Sequence, residues 1–168
     1  MRKNHGFTII ELIIYIAIFG MIVVGLISFA LSVTTARAKT YASTEVEANG
    51  RIALAIVRGK VRAATAVTAS GSVFNADPGV LRLQMPDGSV TIIDLDANDG
   101  RLRIKEGNAA PLYITSRDVK VTNLIFENLS QAGEREEVNI YLTLSYGTRT
   151  SADYSYTWSG RTAVGVRQ

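Results

Sequence analysis

One long apolar run near the start of the chain constrains its fold more than any other feature. Leu12 to Val33 comprise 22 residues without a formally charged side chain, and most of them are aliphatic. About 20 such residues are enough for a helix to cross a hydrocarbon core of about 30 Å. The remainder of the chain has the mixed composition of a soluble domain. We therefore expect one membrane anchor followed by one folded domain.

A single carboxylate, Glu11, lies directly before this run. Insertion scales put the cost of a charge at the centre of a membrane helix at about 2.5 to 3.5 kcal/mol, with less near an end. Such a residue is a functional hypothesis by default and requires a countercharge. The alternative interpretation is an acid that the dipole favours at a helix N-terminus.

The residues before the run are basic. Arg2 and Lys3 are expected on the cytoplasmic side under the positive-inside rule, so Thr34 onward should be translocated. A secretory signal would place a small-x-small cleavage site after a shorter apolar stretch, whereas here a small residue, Gly6, stands before a longer one. The N-terminus therefore does not have the order of a conventional signal peptide.

The composition argues against most hydrolase chemistry. The chain has no cysteine and one histidine, His5, which leaves no Cys or His ligands for zinc and no His base beyond the leader. We expect no enzyme activity, no cofactor and no metal. Without residues 1–6, Lys and Arg fall from 18 to 16 against 15 acids, so the charge is weak evidence for a polyanionic partner.

The start of the chain resembles the prepilin motif of type IV pilins and type II secretion pseudopilins. The matching residues are Gly6, Phe7, Thr8, Ile9, Ile10, Glu11 and Leu12. The resemblance implies that a prepilin peptidase cleaves between Gly6 and Phe7 and that Phe7 is then N-methylated. It also implies as partners other pilin or pseudopilin subunits and an inner-membrane assembly platform, with the chain first in the cytoplasmic membrane and then in a pilus or pseudopilus.

Cleavage would supply a countercharge for Glu11. The new α-amino group of Phe7 is largely cationic at neutral pH, because its reference pKa is about 7.7 to 8.0. Phe7 and Glu11 are four residues apart, which permits pairing within one helix as well as between subunits. The family resemblance favours the neighbouring subunit. We hypothesise that Glu11 sets axial register by neutralising that subunit's amine, since either charge alone would be penalised in an apolar core.

The absence of proline before Pro78 predicts one helix from Phe7 to about Ala66, roughly 90 Å long. Its second half is amphipathic and should pack on a sheet. The apolar positions are Val46, Ala53, Val57, Val61 and Ala64. We divide the chain into a leader (1–6), a transmembrane and assembly half of the helix (7–36), an extracytoplasmic half (37–69) and a globular domain (70–168).

After the loop 69–72 the pattern changes to that of β-strands. Turn signals at Pro86-Asp87-Gly88 and Asn98-Asp99-Gly100 separate the first three. Strands are predicted at 81–85, 90–95, 101–105, 112–115, 119–127, 138–146 and 154–158. The predicted fold class is α+β and pilin-like, a long N-terminal helix packed on an antiparallel sheet.

A second stretch, Glu45 to Leu54, resembles the E-V-x-x-N-x-R-x-A-L run of minor pilins and larger minor pseudopilins. It favours a minor subunit. Major pilins commonly carry a proline where this chain has Ser28, and many have a C-terminal disulfide that this chain lacks. Within the anchor, Gly25, Ser28, Ser32 and Ala36 form a line of small residues, which suits a helix interface or merely reflects membrane-helix composition.

Three other features of the sequence bear on whether the globular domain binds a ligand. The acidic stretch 94–100 places Asp99 and Lys105 where a calcium-binding EF-hand loop needs Gly and Glu, so a polar turn is favoured. The aromatic residues of the last two strands can stabilise the sheet or form a binding surface. A DNA-uptake role would require six basic residues to form one patch. These are Arg58, Lys60, Arg62, Arg101, Arg103 and Arg161.

The sequence thus leaves three functions open. The first is a structural subunit of a pilus or a secretion pseudopilus, for which the stretch from Glu45 to Leu54 favours a minor role. The second is a pilin-like DNA-uptake component, and the third is an ordinary single-pass anchored protein whose leader is not cleaved. The sequence does not discriminate between pilus, secretion and competence systems.

Overall fold

The computed structural model describes residues 8–130, 136–146 and 156–167. Over these residues, one helix, α1, runs from Ile9 to Ala63 and eight β-strands follow it. The chain separates into two compact units, one ending at Ala38 and one beginning at Lys39. The α+β class predicted from the sequence is confirmed.

The unit that ends at Ala38 consists, over its described residues, of the apolar part of α1. Its large hydrophobic side chains are exposed within the chain, from Ile9 to Leu31. The helix has the length and hydropathy needed to cross a membrane, and none of its most apolar 18-residue window is buried by the protein. The described part of the chain does not bury these side chains, so lipid or another protein must cover them.

The unit that begins at Lys39 contains two antiparallel sheets. The first has five strands in sequence order and the second has three. The first sheet comprises β1 (Ala66–Val67), β2 (Leu81–Gln84), β3 (Val90–Leu95), β4 (Leu102–Glu106) and β5 (Leu112–Tyr113). The second comprises β6 (Val119–Asn128), β7 (Glu137–Tyr146) and β8 (Tyr156–Gly165).

The second half of α1 supplies one wall of the core. All five apolar positions that the periodicity predicts are buried, and Ala42 and Gly50 are buried with them. The five predicted positions pack with alternate residues of both sheets in one cluster, whose largest fully buried side chain is Phe126. The alternation of buried and exposed positions along β2, β6 and β7 follows the two-residue period of strands.

The helix ends at Ala63, three residues before the expected end near Ala66. Thr65 donates its backbone N–H and its hydroxyl to the carbonyl of Gln84, and Thr68 donates its N–H to Arg82. These hydrogen bonds pair the chain with β2 as strand β1. The β-branched residues there favour an extended backbone over a helix.

The remaining strands differ from the predicted ones mainly at their ends. The strand predicted at 154–158 instead runs from Tyr156 to Gly165 over the described residues. Both predicted turns are present. Gly88 and Gly100 adopt positive φ angles of 81° and 67°, which glycine tolerates because it lacks a Cβ.

Candidate assembly site

The first turn of α1 carries Glu11. The Thr8 hydroxyl accepts a hydrogen bond from the Glu11 backbone N–H at 3.3 Å, and the Thr8 carbonyl accepts one from Leu12 at 3.2 Å. Thr8 is thus the N-cap, and Thr-Ile-Ile-Glu has the spacing of a capping box. The sequence contains this capping signal, although its pattern was interpreted above only through the charge of Glu11 and the prepilin motif. Gly6 and Phe7, the expected cleavage and methylation positions, lie outside the described residues.

Apart from Glu11, the surface of α1 from Ile9 to Val33 carries no charged side chain and is mostly apolar on every side. Ile9 is 80% exposed, Phe19 69% and Leu31 65%. The line of small residues is also exposed, and a Cβ at Gly25 would meet nothing within 4 Å. No side chain of the described residues covers that line, so it is accessible to another helix.

The run that resembles minor pilins attaches α1 to the sheets. The Asn49 side chain donates to the Glu45 carbonyl at 2.8 Å and accepts the backbone N–H of Ser116, in the loop before β6, at 2.8 Å. Glu47 pairs with Arg51 at 3.4 Å and accepts the Tyr156 hydroxyl at 3.1 Å. This hydrogen bond to Glu47 and partial burial raise the pKa of Tyr156 above 10.0.

Gly50 completes this attachment. It faces Trp158 of β8, and a Cβ at Gly50 would overlap the indole ring. A Cβ at Gly160 would overlap the other side of the same ring. The two glycines therefore form a slot for the indole (the Trp158 slot), which brings the helix backbone close to the second sheet.

The carboxylates of the acidic stretch 94–100 form ion pairs with arginines of the same chain. Arg103 donates to Asp94 at 2.7 Å and to Asp96 at 3.0 Å, while Arg101 binds Asp99 at 2.6 Å. Among residues 8–130, 136–146 and 156–167, no three Asp, Glu, His or Cys side chains lie close enough to hold a metal. The stretch forms a hairpin turn whose carboxylates bind arginines.

Asp96 is the most strongly held of these carboxylates. It is 6% exposed and accepts hydrogen bonds from the Asn98 N–H at 2.8 Å and the Tyr113 hydroxyl at 2.9 Å. The Asn98 bond, the Tyr113 bond and the charge of Arg103 lower the pKa of Asp96 below 3.8. The ionised form therefore stabilises the fold.

Three of the six basic residues that DNA binding would require form ion pairs within the chain. Lys60 pairs with Glu106 at 2.6 Å, and Arg101 and Arg103 are paired with the acids just named. Arg103 lies on the face of the first sheet opposite the core, whereas Arg161 lies on β8 of the second sheet. Half of the six are thus neutralised, which disfavours one free basic patch.

The aromatic residues of β7 and β8 act mainly in packing. Tyr146, Tyr156 and Trp158 are partly buried against the core, and Tyr146 also meets Tyr41 edge to face at 6.1 Å. On the opposite face, the Tyr141 hydroxyl donates to Glu127 at 3.2 Å. Tyr154 lies outside the described residues.

Comparison with known proteins locates a family signal at the N-terminus. A family model described as the prokaryotic N-terminal methylation motif matches residues 1–27. No curated protein and no solved structure matches the chain significantly. The motif includes Glu11 and its N-cap residue, Thr8. Beyond the motif α1 continues to Ala63, and its second half packs on antiparallel sheets. The chain is therefore pilin- or pseudopilin-like at its N-terminus, where it bears the prepilin N-terminal methylation motif.

Proposed function

We propose that this protein is a structural subunit, and not an enzyme, of a type IV pilus or a type II secretion pseudopilus. After prepilin peptidase removes residues 1–6 and methylates Phe7, the subunit enters a filament through the apolar half of α1. The observation that carries the proposal is the methylation motif over residues 1–27 on a helix whose apolar side chains are exposed on all sides.

The exposed side chains of α1 explain why the subunit needs two environments. Burying a side chain such as Leu, Ile or Phe is favourable by about 1.5 to 3 kcal/mol, so leaving the row from Ile9 to Leu31 in water would be prohibitive. Lipid covers the row before assembly, with the sheets on the extracytoplasmic side, and neighbouring helices cover it afterwards. An exposed line of small residues supports close helix contacts in the second state.

Glu11 gives this assembly a fixed register. Its side chain lies in the first turn of the helix, where the described residues place no cation within ion-pair distance. The amine that cleavage creates on Phe7 of a neighbouring subunit would neutralise it. Because an unpaired charge in an apolar filament core costs several kcal/mol, only registers that pair the two groups would persist.

The resemblance of residues 45–54 to minor pilins supports a low-copy role. Asn49, Glu47 and Gly50 of this run fix α1 to the loop before β6 and to β8. The run therefore fixes the sheets against the second half of α1. A minor subunit would differ from the major one in this attachment.

Glu11→Ala tests the proposal in cells that express the matching peptidase and major subunits. We expect leader cleavage to be retained and incorporation into sheared filaments to be lost. Thr8→Ala is the matched control, because it removes the helix cap, worth about 1 kcal/mol, and keeps the carboxylate. Normal incorporation of Glu11→Ala, or an equal loss in Thr8→Ala, would show that Glu11 acts only at the helix terminus.

A further inference from the structure

A pocket of about 430 Å³ lies on the face of the first sheet that points away from the core. Its lining has three cations, Arg82 of β2 and Arg103 and Lys105 of β4, and one carboxylate, Asp94 of β3, which is paired with Arg103. Ile92, Val80, Pro111 and Gly71 complete the walls. Neither the prepilin motif nor the packing of α1 uses these residues. The pocket therefore needs a separate explanation.

The register of the sheet places two cations on either side of one apolar residue. Arg82 pairs with Ile92, and Ile92 pairs with Lys105. Neighbouring strands lie about 4.8 Å apart, so the Cα atoms of Arg82 and Lys105 are about 10 Å apart across Ile92. Both side chains are long enough to reach one small anion above Ile92.

The charges of this row are not balanced within the described part of the chain. Arg103, which also lines the pocket, is already bonded to Asp94 and Asp96. Neither Arg82 nor Lys105 forms an ion pair with any described carboxylate. Arg82 and Lys105 are thus available to bind an anion in the pocket through charge-assisted hydrogen bonds.

The position of Arg82 is fixed by its surroundings. Its Nε is buried and has no hydrogen-bond partner among the described residues. The guanidinium packs on Gly71, where a Cβ would lie 2.8 Å from Nε and where φ is +80°. A glycine at this point allows the arginine to lie flat in the pocket wall. Holding Arg82 in one place lowers the entropy that binding would otherwise cost.

We propose that this pocket binds a carboxylate carried on a short aliphatic stem. The carboxylate lies between Arg82 and Lys105, and the stem packs on Ile92, Val80 and Pro111. The source is either a free dicarboxylate or an acidic side chain of another protein, and both present the same group. The proposal is independent of the function of Glu11 and of the filament.

The test is a titration of the full-length protein in non-ionic detergent with glutarate and, separately, with inorganic phosphate. The Nε–H resonance of Arg82 in ¹⁵N-correlated spectra is the reporter, because this group is buried beside the pocket. We expect a saturable shift with glutarate and weaker binding of phosphate, which lacks the stem. Lys105→Gln should raise the Kd for glutarate about tenfold.

Arg161→Gln is the control, since Arg161 is an exposed arginine on β8 of the other sheet. Its Kd should equal that of the unmodified protein. The proposal is overturned if glutarate gives no saturable shift, if phosphate binds as well as glutarate, or if the two variants have the same Kd. If glutarate binds, a peptide rich in glutamate identifies the source: tighter binding of the peptide assigns a protein partner, and tighter binding of glutarate assigns a free dicarboxylate.

Discussion

Replacing Gly50 by alanine should destabilise the domain, although alanine is the better helix former. Gly50 and Gly59 both lie inside α1, and at both positions alanine gains about 0.8 to 1.0 kcal/mol of helix propensity. At Gly59 an added Cβ meets nothing within 4 Å, whereas at Gly50 it overlaps the indole of Trp158. The pair therefore isolates the cost of filling the Trp158 slot.

That cost follows from the confinement of the ring. Gly160 contacts the same ring, so the partly buried indole can yield to a Cβ at Gly50 only by moving toward solvent or by shifting β8. Overfilling a packed site costs about 1 to 3 kcal/mol. Because the propensity gain is common to both variants, Gly50→Ala should be less stable than Gly59→Ala by about 1 to 3 kcal/mol.

The assay is urea unfolding of the full-length protein in detergent, followed by tryptophan fluorescence. Trp158 is the only tryptophan, so the signal reports the slot directly. Gly59→Ala should raise the free energy of unfolding and leave the emission maximum unchanged. Gly50→Ala should lower that free energy and shift the emission to longer wavelength. Equal stability of the two variants would refute the close packing of α1 on β8.

Three further predictions concern the same domain. Phe126→Ala should lower the free energy of unfolding by about 3 to 5 kcal/mol, because Phe126 is fully buried; a loss below 1 kcal/mol in urea titration would contradict the core described. Asn49→Ala should cost about 1 to 3 kcal/mol, because it leaves the Ser116 N–H unpaired, and hydrogen exchange at that amide should accelerate. The lowered pKa of Asp96, caused first by the Asn98 N–H, contributes stability that is present above pH 3.8 and is lost as the pH falls through the folded-state pKa. Asp96→Asn should therefore reduce the loss of stability between pH 5 and pH 2, and an unchanged pH profile in unfolding experiments would contradict this role.

Periodic patterns were enough to predict α1 and every strand except β1. A run without proline predicts α1, alternation predicts the strands, and glycine at turn positions predicts the hairpins at Gly88 and Gly100. The end of α1 was missed because a tertiary event decides it. Hydrogen bonds from Thr65 to Gln84 draw the chain into β1, and no local pattern specifies that partner.

The candidate site was predicted to a different degree at each end of the helix. Glu11 stands out by chemistry alone, because it is a charge beside an apolar run. The role of Gly50 was not predicted, because a glycine within a helical pattern does not indicate that Trp158 packs against it. The pocket at Arg82 and Lys105 was also missed. Two cations 23 positions apart become neighbours of Ile92 only through the pairing of β2, β3 and β4.

Mass spectrometry of the N-terminus is the most direct test of the central claim, that this chain is a processed filament subunit. The protein is produced with its matching prepilin peptidase and isolated from membranes. The account predicts a chain that begins at Phe7 and carries one methyl group on its α-amine, and a Gly6 substitution should block this processing. A chain that still begins with residues 1–6 in the presence of active peptidase would contradict the account.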